Sequence, residues 1–242
     1  MDTTSPVAVS GQIALMRRLE TIANNVANAG TVGFRGEAVT FSTIVSETRP
    51  FRTSFAFSGG PHINMASGGF VRSGNPLDVA VKGEAYLAIL TPQGAAYTRD
   101  GRMQMLPTGD LVSLAGHPIL DPSGSPLTLD PRGGAPEIGA DGMIRQDGRN
   151  AGAIGLFAVD FSKGYGRFEN SSFLPQSAPV PVEDFTANAI VQGFTEESNV
   201  NPVTEITRLI AVQRAFEAMS SSVEQRDQAI RETIQALGAR GS

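Results

Sequence analysis

Residues 198–237 read SNVNPVTEITRLIAVQRAFEAMSSSVEQRDQAIRETIQAL, and one helical rhythm runs through them. Leu209, Val212, Phe216, Met219, Val223, Arg226, Ile230, Thr233 and Leu237 keep a heptad spacing without a slip. Only Arg226 and Thr233 break its apolar character. Asn201 followed by Pro202 is a start signal and Gly238 a stop. A helix of about 36 residues is about 54 Å long at 1.5 Å rise per residue, beyond the usual range of roughly 8–20 residues. About four heptads of seam point to a coiled coil. The alternative is a core helix of an ordinary domain, since apolar stripes at this spacing commonly face a core.

A matching seam lies at the other end. Residues 5–34, SPVAVSGQIALMRRLETIANNVANAGTVGF, set Leu15, Leu19, Ile22 and Val26 at alternating intervals of four and three, with Met16 and Ala23 widening the stripe. Ser5 and Pro6 supply an N-cap and a first-turn proline, and Asn28-Ala29-Gly30 a stop. A thin seam leaves most of each helix in water, so such helices depend on a partner. Asn28 is expected to end the first helix. Asn24 and Asn25 come a turn too early for capping alone. Their amides are expected to hydrogen-bond across packed helices, or to the chain passing Thr31 and Gly33, and so to fix register.

The middle reads as β. Leu77, Val79 and Val81 alternate with Asp78 and Ala80, and Tyr86–Leu90 form a more buried run. Hairpin signals follow at Gln93-Gly94, Asp100-Gly101, Thr108-Gly109, Asp141-Gly142 and Asp147-Gly148. This spacing predicts an antiparallel sandwich or barrel-like domain over 69–190. Residues 41–68 carry Phe41, Phe51, Phe55 and Phe57 amid Ser, Thr, Arg and Gly and cannot build a core alone. They are either an extended arm laid on a neighbour or a loop on their own domain.

Three stretches carry a family resemblance. ETIANNVANAGTVGFRGEAVTF (20–41) resembles the N-terminal signature of the bacterial flagellar rod and hook axial proteins, through Asn24, Asn25, Asn28, Thr31, Gly33, Phe34 and Arg35. ESNVNPVTEITRLIAVQRAFEA (197–218) is similar to that family's C-terminal segment, with Gln213-Arg214-Ala215-Phe216 at its QRAY/F element. GNPLDVAVKGEAYLAILTPQGAAYTRDGRMQMLPTGDLVSLAGHPIL (74–120) resembles the shared β-domain. One departure is Lys82-Gly83-Glu84-Ala85-Tyr86-Leu87, where the family runs G-x-GFF; an aromatic-plus-aliphatic strand survives. The resemblance implies a structural subunit of the flagellar basal-body rod, the alternative being a distal-rod or hook-type axial subunit. It also implies helical assembly into a hollow, torque-bearing shaft with copies of itself or other rod proteins as axial neighbours. Passage through the flagellar type III export apparatus without a cleaved signal peptide, and assembly across the periplasm, follow from it as well.

Residue chemistry adds little to suggest catalysis. The two histidines, His62 and His117, have no second histidine or cysteine beside them, and zinc sites want three or four such ligands. Gly59-Gly60-Pro61-His62 reads as a turn and Ala115-Gly116-His117-Pro118 as a hairpin corner. Neither G-x-S-x-G nor a phosphate loop occurs, and Asp78 and Asp100 lack a carboxylate partner in sequence. No catalytic, cofactor or metal residue is therefore assigned; a secreted hydrolase dependent on His62 or His117 is the rival from another class. A net charge of −5 with scattered Lys and Arg gives nucleic acid little to hold. Apolar runs fall short of the roughly 20 residues that span a bilayer, and Arg17 and Arg18 alone do not make the basic face of a membrane-surface helix.

The expected fold class is α+β. Residues 1–30 and 203–242 form a discontinuous helical coiled-coil unit, 31–68 and 190–202 connecting arms, and 69–190 a central antiparallel all-β domain that sits outside. Leu15, Leu19, Ile22, Val26, Leu209, Val212, Phe216, Met219, Val223 and Ile230 are the expected assembly interface. A heterologous contact that fails to close would stack copies into a filament.

Overall fold

The structure is a computed structural model that describes residues 4–46 and 53–238. The chain begins with helix α1 (Thr4–Ala27) and a long hairpin, β1 (Glu37–Ser46) and β2 (Thr53–Ile63). Short strands follow: β3 (Phe70–Arg72), β4 (Val79–Lys82), β5 (Tyr86–Thr91), β6 (Gly94–Thr98), β7 (Met103–Met105) and β8 (Leu111–Ser113). After them come β9 (Glu137–Ile138), β10 (Met143–Gln146), β11 (Arg149–Ala153), β12 (Leu156–Ala158), β13 (Tyr165–Phe168) and β14 (Ser172–Pro175). The last elements are β15 (Val180–Pro181), β16 (Ala189–Gln192), β17 (Phe194–Glu196) and α2 (Pro202–Gly238). The fold class is α+β. Two compact units result: α1, β1, β2 and α2 make one, and residues Asn28–Gly36 with Asn64–Val200 make the other.

In the helical unit α2 starts where the sequence signals it. Asn201 Oδ1 accepts the amides of Val203 at 3.0 Å and Thr204 at 3.2 Å, satisfying two of the donors a helix start leaves open. α1 and α2 pack antiparallel: Gln12 Nε2 donates to Ser220 Oγ at 3.3 Å, and Asn25 Nδ2 reaches Glu205 Oε2 at 3.5 Å. On α2 the positions turned from solvent are Glu205 and Val212, buried, with Leu209, Phe216, Met219, Ser220, Val223 and Arg226 half-buried. The side chain of Ile230 lies outside the described residues.

On α1 the stripe is rotated from the expected one. Gly11, Ala14, Ile22 and Asn25 are buried, and Leu15, Leu19 and Val26 are half-buried. Met16 and Ala23, expected to widen the stripe, are exposed. The cause is close approach over small residues, since a Cβ on Gly11 would fall 2.8 Å from Met219 Cε.

Residues 37–63, read from sequence as part of the arms, form the antiparallel β1–β2 hairpin, in register from Glu37↔Ile63 to Ser46↔Thr53 with one shift between Val39 and Phe41. A two-stranded hairpin is marginal alone in water; here α1 packs against both strands. Gly59–His62, expected as a turn, lies inside β2. Phe51 and the side chains of Phe41, Phe55 and Phe57 lie outside the described residues.

Every strand pair of the β unit is antiparallel; its largest sheet runs β13-β14-β6-β5-β12-β15. Val79, Val81, Leu87, Ile89, Met103, Ile144 and Leu156 centre the core. In β4 the expected alternation fails: Val79, Ala80 and Val81 are all buried, so the strand is covered on both faces. Four of the five hairpin signals hold, at Gly94, Gly109, Gly142 and Gly148, whereas Asp100-Gly101 joins β6 to β7, which pair with other strands. Asp147 (φ 50) and Gly148 (φ 73) both take the left-handed conformation that the two-residue turn between β10 and β11 demands. Leu111, Ile119 and Leu127, eight residues apart, close a ring of backbone bonds: 127 donates to 119, 119 to 111 and 111 to 127, each at 2.9 Å.

Candidate assembly site and buried arginine neck

Gly33 and Arg35 of the N-terminal motif, Arg99 of the middle one and Asn199 of the C-terminal one meet at one feature of the β unit. Three segments carry the chain into and out of this unit: residues 28–36 come in, 64–68 return, and 194–200 leave. Glu196, fully buried on the leaving strand β17, gathers them. Its Oε1 lies 2.7 Å from Arg35 Nη2 and accepts the Gly68 amide at 3.0 Å. Its Oε2 accepts from Arg99 Nη1 at 3.3 Å. Arg35 Nη1 also donates to Ala66 O, and Arg99 donates to the carbonyls of Val81 (2.7 Å) and Gly83.

Both guanidinium groups are 1 % exposed, so two buried cations share one buried carboxylate. Arg35 Nη2 is out of line for a hydrogen bond, and Arg35 Nε and Arg99 Nε have no partner among the described residues. Asn199 makes a second tie on the same strand side. Its Oδ1 accepts the Gly36 amide at 2.8 Å, and its Nδ2 donates to Asn64 O at 2.8 Å and Ala66 O at 2.7 Å.

Each motif residue has a local reason. Asn28 closes the turn after α1, its carbonyl accepting the Thr31 amide at 3.0 Å and its Oδ1 the Thr31 hydroxyl at 3.1 Å. Gly33 sits at φ +69 with its amide on Glu196 O at 2.7 Å; a Cβ there would lie 2.2 Å from the Asp100 nitrogen. Phe34 is buried beneath Arg167, whose guanidinium stands 4.6 Å from its ring and 4.8 Å from that of Phe173. Arg167 Nη2 donates to Arg35 O at 2.9 Å. Asn25 belongs to the helical unit: its amide exchanges bonds with Glu37 (2.8 and 3.0 Å) while touching Glu205, so it ties α1, β1 and α2. Asn25 therefore makes a contact across the two helices, one of the arrangements expected of Asn24 and Asn25. Asn24 is half-buried on α1.

Sequence reading missed Glu196, Arg99 and Arg167. Arg35 and Arg99 stood inside quoted motifs, but a charged residue in a single sequence reads as solvated. Arg99 lies over the Tyr86 ring at 4.9 Å, in a nest where Phe161 and Phe173 meet Tyr86 edge-on. Burial pulls the Arg99 guanidinium below its ordinary value while Glu196 pushes it back. Burial likewise raises the Tyr86 phenol against the opposing pull of Arg99.

The Tyr86 shift has a direction in pH. The folded-state value is raised, so the stability it contributes is complete below about pH 10 and lost as pH climbs past that. Burial raises Tyr97 in the same sense. The unfolding midpoint should therefore fall steeply above about pH 10, and Tyr86→Phe should flatten part of that fall. Urea melts of both proteins across this range check it; equal slopes would remove Tyr86 as the cause.

Apart from His62, the residues considered for catalysis are held in local pairs. Asp100 is held by Arg102 through bonds of 2.9 and 2.6 Å, and Asp78 accepts from Asn75 at 2.9 Å. His117 turns the expected corner and meets Glu169 at 2.9 Å; His62 is exposed on β2. Among the described residues no three potential metal ligands cluster, and no described helix is long and apolar enough to cross a membrane. Besides polar side chains, the helical unit exposes large apolar ones: Val9, Ile13 and Met16 on α1, and Val203, Ile206 and Ile210 on α2.

Three family profiles match in order along the chain. Residues 6–35 match the flagella basal body rod protein family, and 80–146 the flagellar hook protein FlgE/F/G D1 domain. Residues 191–236 match the flagellar basal body rod FlgEFG protein C-terminal family. Among curated relatives, the flagellar basal-body rod protein FlgF of Mesorhizobium japonicum is 49 % identical over 97 % of each chain. That of Rhizobium meliloti is 41 % identical over 98 % of this chain and 99 % of its own. The flagellar basal-body rod protein FlgG of Bacillus subtilis is 29 % identical over 93 % of this chain and 96 % of its own, below the FlgF relatives. The chain therefore belongs to the FlgF family of flagellar basal-body rod proteins, a structural subunit of the rod and not an enzyme.

Proposed function

We propose that α1 and α2 act as the axial element of the rod subunit, pairing in coiled-coil fashion and packing on neighbouring subunits to build a hollow, torque-transmitting shaft. The neighbours are copies of this chain, other rod proteins, or both. The observation that carries this reading is the pair of exposed apolar stripes. Val9, Ile13 and Met16 fall at i, i+4, i+7, and Val203, Ile206 and Ile210 at i, i+3, i+7, so each set lies on one helical face. Val203 is 72 % exposed. Leu15, Leu19, Ile22, Val26, Leu209, Val212, Phe216, Met219 and Val223 hold the inner packing that presents those stripes. Because the antiparallel pairing puts residues 9–16 and 203–210 towards opposite ends of the helix pair, a stripe-to-stripe contact is heterologous and grows an open helical filament. The subunit reaches the rod through the flagellar type III export apparatus, without a cleaved signal peptide, and spans part of the periplasm there.

The chain has no cysteine, which makes a clean test possible. Ile13→Cys and Ile206→Cys, combined in one chain, should give cross-linked ladders on mild oxidation of isolated basal bodies and none in the dilute monomer. Ser123→Cys, on an exposed turn of the β unit, is the control and should stay uncross-linked. Absence of ladders from assembled basal bodies would exclude these faces as the axial contact.

A further inference from the structure

We infer that Glu196 is the closing residue of the β unit: its carboxylate makes the ordering of the incoming (28–36), returning (64–68) and leaving (194–200) segments a single event that waits for the leaving strand. The charges set this order. Arg35 and Arg99 are buried as cations, and Glu196 is the one carboxylate that contacts them among the described residues. Without it, burying either arginine puts an unpaired charge out of water, which proteins avoid by leaving the segment solvated. Arg35 therefore cannot settle against Ala66 until residue 196 is present. Gly68, whose Cβ position is filled by the Glu197 carbonyl 1.9 Å away, likewise lies against the leaving strand. The remaining ties point the same way: Gly33 N and Gly68 N bond to Glu196, and Gly36 N bonds to Asn199. Every one of these is a bond to the leaving segment 194–200.

A chain synthesised from its N-terminus thus holds its first β-unit segment open until residue 196 has been made. The β unit cannot close on a partial chain, and the segments joining it to α1 and α2 become rigid together.

Hydrogen exchange on the full-length chain tests this, read at the amides of Gly36 and Asn64. Neither touches Glu196; Gly36 bonds to Asn199 and Asn64 to the Gly36 carbonyl. Glu196→Gln, which keeps shape and an acceptor for Gly68, and Glu196→Ala should each speed exchange at both amides more than tenfold, along with Gly33 and Glu197. Glu197→Ala, an exposed neighbour, should leave them unchanged. The triple variant Arg35→Met, Arg99→Met, Glu196→Leu removes all three charges and should return exchange at Gly36 and Asn64 to near the parent rate. It serves equally if Glu196→Ala does not fold. Faster exchange confined to Gly68 in the single variants would overturn the coupling. A triple variant that stays fast or unfolded would overturn the charge as its cause.

Discussion

Phe216→Asp should abolish rod assembly while leaving the unfolding midpoint of the β unit unchanged. Phe216 is the largest apolar side chain on the α2 seam and is half-buried against its surroundings in the single chain. Full burial of such a side chain is worth roughly 1.5–3 kcal/mol, and a carboxylate in its place adds the cost of an unpaired buried charge. The same defect recurs in every copy along the shaft, so a modest loss per subunit stops growth. Glu217→Gln, exposed one position round the helix, keeps its acceptor for Gln213 and should be near neutral. Cells carrying only the Phe216→Asp chain should be non-motile in soft agar, with hooks and filaments absent from electron micrographs. Normal swimming would show that Phe216 lies outside any assembly contact.

Gly33→Ala should destabilise the β unit by about 2–5 kcal/mol, combining a left-handed backbone penalty of about 1–2 kcal/mol with an overpacking cost of about 1–3 kcal/mol. The added methyl meets backbone, not a side chain that can swing aside: Asp100 N at 2.2 Å and the Arg99 carbonyl carbon at 2.5 Å. Moving away would break the 2.7 Å bond from Gly33 N to Glu196 O and drag Phe34 from under Arg167. Gly30→Ala, with nothing within 4 Å of its Cβ position and no positive φ, is the control and should change stability little. Denaturant melts of the two variants give the comparison; a loss below 1 kcal/mol at Gly33, on the order of an ordinary surface change, would mean the neck can yield.

How far the fold could be read depended on what kind of signal each element left. α2 announced itself because its heptad, its Asn201 cap and its length are all local in sequence, and the same positions from Leu209 to Arg226 face away from water. The β turns were legible for the same reason, since Gly94, Gly109, Gly142 and Gly148 must take positive φ where they stand. α1 was read half a step out of phase. Apolar side chains were counted, but the helix approaches its partner over Gly11 and Ala14, residues that a hydrophobic count discounts. Residues 37–63 looked like arms because their partner strand and the helix covering them are distant in pattern, not in sequence. The neck was illegible: that Glu196 meets Arg35 and Arg99 depends on sequence separations of 161 and 97 residues, which no local rule spans.

The closed ring of Leu111, Ile119 and Leu127 bears on a hazard of polymers. Subunits held side by side at high local concentration invite strand edges to pair with the wrong neighbour, and proteins suffer for any edge left open. Three segments that each give one amide to the next in a circle have no first or last member. The amides of Leu111, Ile119 and Leu127 are thus not available to a neighbouring copy crowded against the rod.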